Sequence, residues 1–236
     1  MFDRILTAWP IAPNSIAING ANIIASNATN NPAELAFPDI LDMRSCKAEI
    51  SPIRLSAINK MIIDKLKIKI FADGADRESI IKLNENKHIK GFTTNPSLMK
   101  KAGIKDYKAF ALEILPKINK PISFEIFADE PQEMQKQAEE ISSWGKNIYV
   151  KIPVTNTKRI STNEIIKNLS SQGIKLNITA IFTNEQLKNV LKAINKETPT
   201  ILSVFAGRIA DAGYDPEEIL KKSVLLCREY SKCEVL

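Results

Sequence analysis

From Lys67 onward the chain alternates between short apolar runs of strand length and longer stretches whose apolar residues recur at helical spacing. Lys69-Ile70-Phe71-Ala72 reads as a strand, and Asp76 to Asn86 as a helix with Ile80, Ile81 and Leu83 inward. A second strand ends at Gly91-Phe92, and a helix from about Lys105 to Ile118 sets Phe110, Ile114 and Leu115 on one face. Ile122 to Ile126 is a third strand, followed by a helix opened by Pro131, whose fixed φ suits a first turn. Asn147 to Ile152, Ile174 to Ile178 and Thr200 to Val204 continue the series, and Glu234-Val235-Leu236 begins a seventh strand. Ser161…Glu164, Thr183…Gln186 and Asp215…Glu218 have capping-box spacing, and Gly173 stands where a helix should end.

Residues 1–66 lack this alternation. They hold five prolines (Pro10, Pro13, Pro32, Pro38, Pro52) and an asparagine-rich stretch from Asn14 to Asn31. The expectation is an irregular N-terminal segment of unknown role, with a short amphipathic helix at Ile58–Leu66, preceding a (β/α) domain over 67–236.

Strands alternating with helices imply a parallel sheet, either doubly wound or closed as a TIM-type (β/α)8 barrel. The polar residues separate the two. Asp73, Asn95, Glu125, Lys151, Asn177, Thr179 and Ser203 fall at or just past the C-terminal ends of successive strands, the face on which a barrel gathers its active-site groups. A dinucleotide-binding sheet needs a glycine-rich first turn, which Asp73-Gly74-Ala75-Asp76 does not supply. The fold expected is an α/β barrel of TIM type, incomplete, with six to seven strands present. Residues 67–236 fall short of the roughly 250 residues such barrels take. The expectation is therefore a domain truncated after its sixth helix. Ser15 to Ala25 has some strand-like alternation with which the leader could fill the gap, although a shortened gene product is the preferred explanation.

Composition narrows the chemistry. The formal charge of +6 comes from lysines spread along the chain, without a dense basic block or interleaved aromatics, so nucleic acid is not expected as a partner. His88 is the only histidine, which rules out a multi-histidine metal site. Cys46, Cys227 and Cys233 lack metal-ligand spacing and suit reduced thiols. No run approaches the roughly 20 apolar residues of a membrane span, and Trp9-Pro10 interrupts any signal-peptide core, so a cytoplasmic protein without membrane contact is expected.

Lys151 is the conspicuous residue, set in the apolar run Tyr149-Val150-Lys151-Ile152-Pro153-Val154. A buried ammonium must find a partner or give up its proton, and a neutral amine in a dry pocket is the nucleophile that forms a Schiff base with a carbonyl. The plain alternative is a strand-end lysine whose stem packs while its head reaches water. Glu125, between Phe124 and Ile126, likewise needs a partner, which Lys151 could be in a purely structural ion pair. Asp73 could cap the following helix, though Asp76 is available for that. Asn95-Pro96 would form a turn regardless, Asn177 and Thr179 could be strand-end packing, and Arg208 could sit in a helix-surface salt bridge.

Six segments then resemble one family. FADGAD (71–76), GFTTNPSL (91–98), SFEIFAD (123–129), VKIPVT (150–155), LNITAIF (176–182) and SVFAGRIADAG (203–213) run in the order found in transaldolases and the related fructose-6-phosphate aldolases, covering the chain from residue 68 onward. The resemblance implies that Lys151 is the Schiff-base lysine, Asp73 the carboxylate that handles the hydroxyl proton, and Glu125 with Thr179 the pair that positions a water. It implies that Asn95 and Asn177 contact sugar hydroxyls, Ser203 the dihydroxyacetone side and Arg208 the phosphate. Phosphorylated sugars are then the partners, in the non-oxidative pentose phosphate pathway, and neither a metal nor another cofactor is needed. The reaction converts sedoheptulose 7-phosphate and glyceraldehyde 3-phosphate to erythrose 4-phosphate and fructose 6-phosphate. Assembly is left open, a homo-oligomer included.

Within the resemblance, fructose-6-phosphate aldolases carry glutamine and tyrosine where this chain has Glu125 and Phe205, which favours transfer over simple cleavage. The alternatives are that aldolase, or a sugar-phosphate-binding remnant that does not turn over.

Overall fold

The computed structural model describes residues 22–27 and 68–236, which share one eight-stranded sheet. The strands are β1 (Asn22–Asn27), β2 (Ile68–Asp73), β3 (Ile89–Thr93), β4 (Ile122–Glu125), β5 (Ile148–Pro153), β6 (Leu176–Ile181), β7 (Thr200–Val204) and β8 (Cys233–Val235). The helices are α1 (Arg77–Asn84), α2 (Pro96–Lys101), α3 (Tyr107–Ile114), α4 (Pro131–Ser143), α5 (Asn163–Ser171), α6 (Asn184–Ala193), α7 (Ala206–Asp211) and α8 (Pro216–Cys227). Spatial order follows chain order from β1 to β8. β2 to β8 are parallel, each joined to the next by at least one helix, because a parallel neighbour can only be reached by a crossover.

This is the incomplete barrel expected from the sequence: seven parallel strands, curled, with helices on the outside. The curl brings the ends together. The Lys69 ammonium on β2 pairs with the Glu234 carboxylate on β8, across the opening. β1 runs antiparallel to β2, with Asn22 opposite Asp73 and Asn27 opposite Ile68, and its Cα atoms come within 8 Å of β8. This strand overlaps the alternation at Ser15 to Ala25. The helix expected at Ile58–Leu66 and the remainder of the N-terminal segment lie outside the described residues.

Local sequence explains most helix ends. The Asp76 side chain accepts from Ser79 N at 2.9 Å, and Asp106 does the same for Ala109 N. Pro131 takes the first turn of α4, and Gly173, at φ +79°, follows α5 in the left-handed region that glycine tolerates. Of the three capping boxes expected, one forms, at Thr183 and Gln186. Asp215 instead accepts from Glu217 N, while Glu218 turns to Lys222. α5 starts from Thr162, whose hydroxyl donates to Pro153 O at 2.7 Å and makes no side-chain cap hydrogen bond. The long helix expected to Ile118 ends at Ile114 and tightens into a 3-10 turn at Leu115–Lys117, where Pro116 removes a backbone donor. The short helices α2 and α7 were not legible as helices in the hydrophobic pattern, each being six residues long.

Two cores result. The larger lies between sheet and helices and includes Phe110, Ile114, Phe124, Met134, Leu169 and Leu187. The smaller fills the inside of the curl: Phe71, Ile201 and Leu236, with Tyr149 against them. Gly91 belongs to the second. A Cβ there would lie 2.3 Å from the Phe71 ring, so β3 has no side chain at the point where Phe71 occupies the interior. No helix among the described residues is long and apolar enough to cross a membrane, and none of their His, Cys, Asp and Glu side chains form a group of three able to hold a metal ion.

Candidate active site

Side chains two residues apart on a strand share a face, so the residues following the inner core on each strand form the next layer up. Phe71 is followed by Asp73, Tyr149 by Lys151 and Ile201 by Ser203. The inner core thus forms an apolar floor beneath a polar ring at the C-terminal ends of the strands.

The ring is built around Lys151. Its side chain is 12% exposed, and its ammonium lies 3.2 Å from Glu125 Oε2, itself 19% exposed. The two residues are register partners on β5 and β4. Neither reaches bulk water freely, so the strand-end lysine with a solvated head does not describe Lys151. Glu125 is anchored through its backbone, whose carbonyl accepts from the Tyr107 hydroxyl at 3.1 Å. Tyr107 meets Phe124, Phe127 and Trp144 edge-on, an aromatic wedge that fixes the end of β4.

Asp73 ends β2 and does not cap α1; Asp76 does. The Thr93 hydroxyl donates to Asp73 Oδ1 at 2.7 Å. Burial pushes the Asp73 carboxyl above the usual aspartate range, and the Lys151 charge and the Thr93 hydrogen bond pull partly back. The carboxyl therefore lies within the electrostatic reach of the amine.

A second polar chain crosses the ring. Asn177 on β6 is fully buried; its amide nitrogen donates to Ser123 Oγ at 3.0 Å, and its oxygen accepts from Ser203 Oγ at 2.8 Å. Ser123, Asn177 and Ser203 are locked together across β4, β6 and β7. Thr179, two residues past Asn177, is 2% exposed, and its hydroxyl has no hydrogen-bond partner among the described residues. Immediately beyond it Ala180 sits at φ +59°, where β6 shifts register against β7 between Ile178 and Ile181. Such a bulge ends the inward stripe at Thr179 and turns Ile181 out into the helix-facing core.

Asn95 and Arg208 follow their strands, Asn95 as the N-cap of α2 and Arg208 on α7. Asn95 caps α2, its side-chain oxygen accepting from Leu98 N at 2.9 Å, so the turn reading holds for that oxygen. Arg208 on α7 pairs with Asp211 at 3.2 Å, the helix-surface contact foreseen as an alternative. Thr93 and Ser123 are ring members that the sequence reading passed over. The signal was there: Ser123 is two residues before Glu125, and Thr93 closes its strand beside Asp73.

An amine paired with one carboxylate and within the electrostatic reach of a second, over an apolar floor and beside buried hydroxyl and amide groups, suits carbonyl chemistry with proton transfer. Comparison with known proteins points the same way. The sequence model of the Transaldolase/Fructose-6-phosphate aldolase family matches residues 70–236. A probable transaldolase of Dehalococcoides mccartyi is 38% identical over 165 residues, covering 69% of this chain and 72% of the relative. One from Streptococcus equi subsp. zooepidemicus is 37% identical over 153 residues, 65% of this chain and 67% of its own. One from Bdellovibrio bacteriovorus is 34% identical over 170 residues, 72% and 75% of the two chains. With seven parallel strands, this polar ring and these relatives, the chain belongs to the transaldolase/fructose-6-phosphate aldolase family.

Proposed function

We propose that this chain is a transaldolase that carries a dihydroxyacetone unit from a phosphorylated ketose to an aldose through a Schiff base on Lys151. The observation that carries the proposal is the placement of the Lys151 amine 3.2 Å from Glu125 and within the field of a half-buried Asp73, inside the curl of the sheet.

In this reading the amine attacks the ketone carbon of sedoheptulose 7-phosphate, and water leaves as the imine forms. Glu125 is the nearest base for the amine proton, and the Thr179 hydroxyl is the adjacent group able to hold the departing water. Asp73 takes the proton of the C4 hydroxyl as the C3–C4 bond breaks. The electron pair flows into the protonated imine, and erythrose 4-phosphate departs. A carboxyl raised by burial is better matched to that proton than an ordinary aspartate. The remaining enamine attacks glyceraldehyde 3-phosphate, Asp73 returns its proton, and hydrolysis frees fructose 6-phosphate and Lys151. Asn177 and Ser203, pre-set by their hydrogen bonds, face sugar hydroxyls, as does the amide nitrogen of Asn95. Arg208 meets the phosphate with a fork of donors, exchanging its Asp211 contact for the ligand. The substrates place the protein in the non-oxidative pentose phosphate pathway, among soluble enzymes of the cytoplasm, without metal or cofactor and with a homo-oligomer as one form of assembly.

Glu125 and Phe205 favour transfer over cleavage; Phe205 stacks edge-on with Phe182, with ring centroids 5.5 Å apart, as an apolar pair beside α7. A coupled assay tests this. With sedoheptulose 7-phosphate alone the expected steady-state rate is close to zero, and glyceraldehyde 3-phosphate restores it. Free dihydroxyacetone accumulating without acceptor would make the chain an aldolase. No turnover under either condition, with sugar phosphate still bound, would make it a binding protein.

A further inference from the structure

Cys227 is the last residue of α8 and Cys233 the first of β8. The Cys233 thiol donates to the Cys227 sulfur at 4.0 Å, and both are free. The approach is set by the backbone. Tyr230 N bonds Cys227 O and Cys233 N bonds Tyr230 O, both at 2.9 Å, winding the five-residue connection into consecutive turns that return Cys233 beside the helix end. Cys227 is 5% exposed, whereas Cys233 is partly open to solvent.

We propose that Cys227 and Cys233 are a dithiol–disulfide modification site that staples α8 to β8. The sulfurs need to close by about 2 Å, within reach of side-chain rotation without moving either element. With a peroxide as oxidant, the more open Cys233 thiol is oxidised to a sulfenic acid with release of one water. Cys227 sulfur then attacks that sulfur, forming the S–S bond and releasing a second water. Two thiol hydrogens and two electrons pass to the peroxide, and a dithiol reductant reverses the change. The hydrogen bond to Cys227, burial and neighbouring charge raise the Cys233 thiol, so thiolate is scarce and the pair answers sustained rather than brief exposure.

The position gives the staple a consequence. β8 is three residues long and, among the described residues, pairs with β7 alone, at the end of the sheet. It carries Glu234, which reaches Lys69, and is followed by Leu236, part of the apolar floor. Cys233 opens β8 at the end of the strands opposite the polar ring, so a covalent tie there secures the end of the sheet without touching Lys151.

The test uses the full chain carrying Cys46→Ser, so that only this pair can react. After treatment with hydrogen peroxide and blocking of free thiols, trypsin is expected to yield residues 223–228 and 233–236 as one linked peptide. The thermal midpoint is expected to rise by about 3–8 °C, to fall back with dithiothreitol, and to be insensitive to peroxide in Cys46→Ser/Cys233→Ser. This readout does not depend on catalysis, so it stands or falls apart from the transaldolase reading. Both cysteines remaining free to block, under peroxide that fully oxidises added glutathione, would overturn the proposal. So would a bond between two chains instead of within one, or an unchanged midpoint in linked protein.

Discussion

Glu125 and Lys151 lie directly opposite one another in the β4–β5 register, and their side chains meet at 3.2 Å over an apolar floor. Neither strand could supply this pair alone. β4 is fixed from outside by Tyr107, and β5 runs through the core with Val150 and Ile152 fully buried on the other face. The carboxylate and the amine are thus presented by rigid elements, and each is the compensation for burying the other.

Removing one partner should therefore cost more than removing both. Glu125→Ala leaves the ammonium without its near carboxylate, and Lys151→Met does the converse. A double-mutant cycle on chemical denaturation is expected to give a coupling energy of about 1–3 kcal/mol, below that of a fully dry pair because both groups keep some exposure. Additive single effects would remove the pair from the account of stability.

Asp73 is held at a cost to the fold. Its carboxyl is raised, so between the unfolded and folded values the native state binds more protons than the unfolded chain, and stability falls as pH rises through that window. Above the window the full penalty remains. Asp73→Asn is thus expected to raise the thermal midpoint at neutral pH while lowering transfer by about 10²–10⁴-fold. The acidic limb of the pH–rate profile should lie above the usual aspartate value, and removing the Thr93 hydrogen bond with Thr93→Val should move it further up. A downward move would contradict the assignment.

Ser123 supports Asn177 without itself being a predicted contact of the sugar. Ser123→Ala leaves the buried Asn177 amide nitrogen short of a partner, for an expected loss of about 1–3 kcal/mol in stability. It should also raise KM, because Asn177 is then held by Ser203 alone. Ser123→Thr, which keeps a hydroxyl, is expected to restore KM in steady-state kinetics.

Ala180 occupies a left-handed conformation that costs an L residue roughly 1–2 kcal/mol. Ala180→Gly is expected to stabilise the chain by a few tenths of a kcal/mol up to about 1 kcal/mol, the relief being offset by the entropy glycine loses on folding. Ala180→Val should destabilise. Equilibrium denaturation of both variants checks the sign.

The sequence carried the fold because the alternation of strand and helix is periodic, and periodicity is what core-facing positions produce. It carried the location of Asp73, Glu125, Lys151, Asn177, Thr179 and Ser203 for a related reason: polar residues at the ends of apolar strands have nowhere else to go. What it could not carry were facts that depend on another strand. The Thr93–Asp73 and Ser123–Asn177 hydrogen bonds join residues 20 and 54 positions apart, and no local pattern encodes them. α2 and α7 are too short to set up a helical period. The capping boxes at Ser161 and Asp215 failed because spacing alone does not say which partner a side chain will choose. The pairing of Asn22–Asn27 with β2 is likewise a matter of tertiary placement.

The account turns on whether Lys151 becomes covalently attached to substrate. The direct measurement is borohydride reduction of the protein with fructose 6-phosphate, followed by peptide mass mapping. The prediction is one reduced dihydroxyacetone adduct, on the peptide containing Lys151, absent in Lys151→Met. Folded protein that binds the sugar yet gives no adduct, or gives one on another lysine, would contradict it.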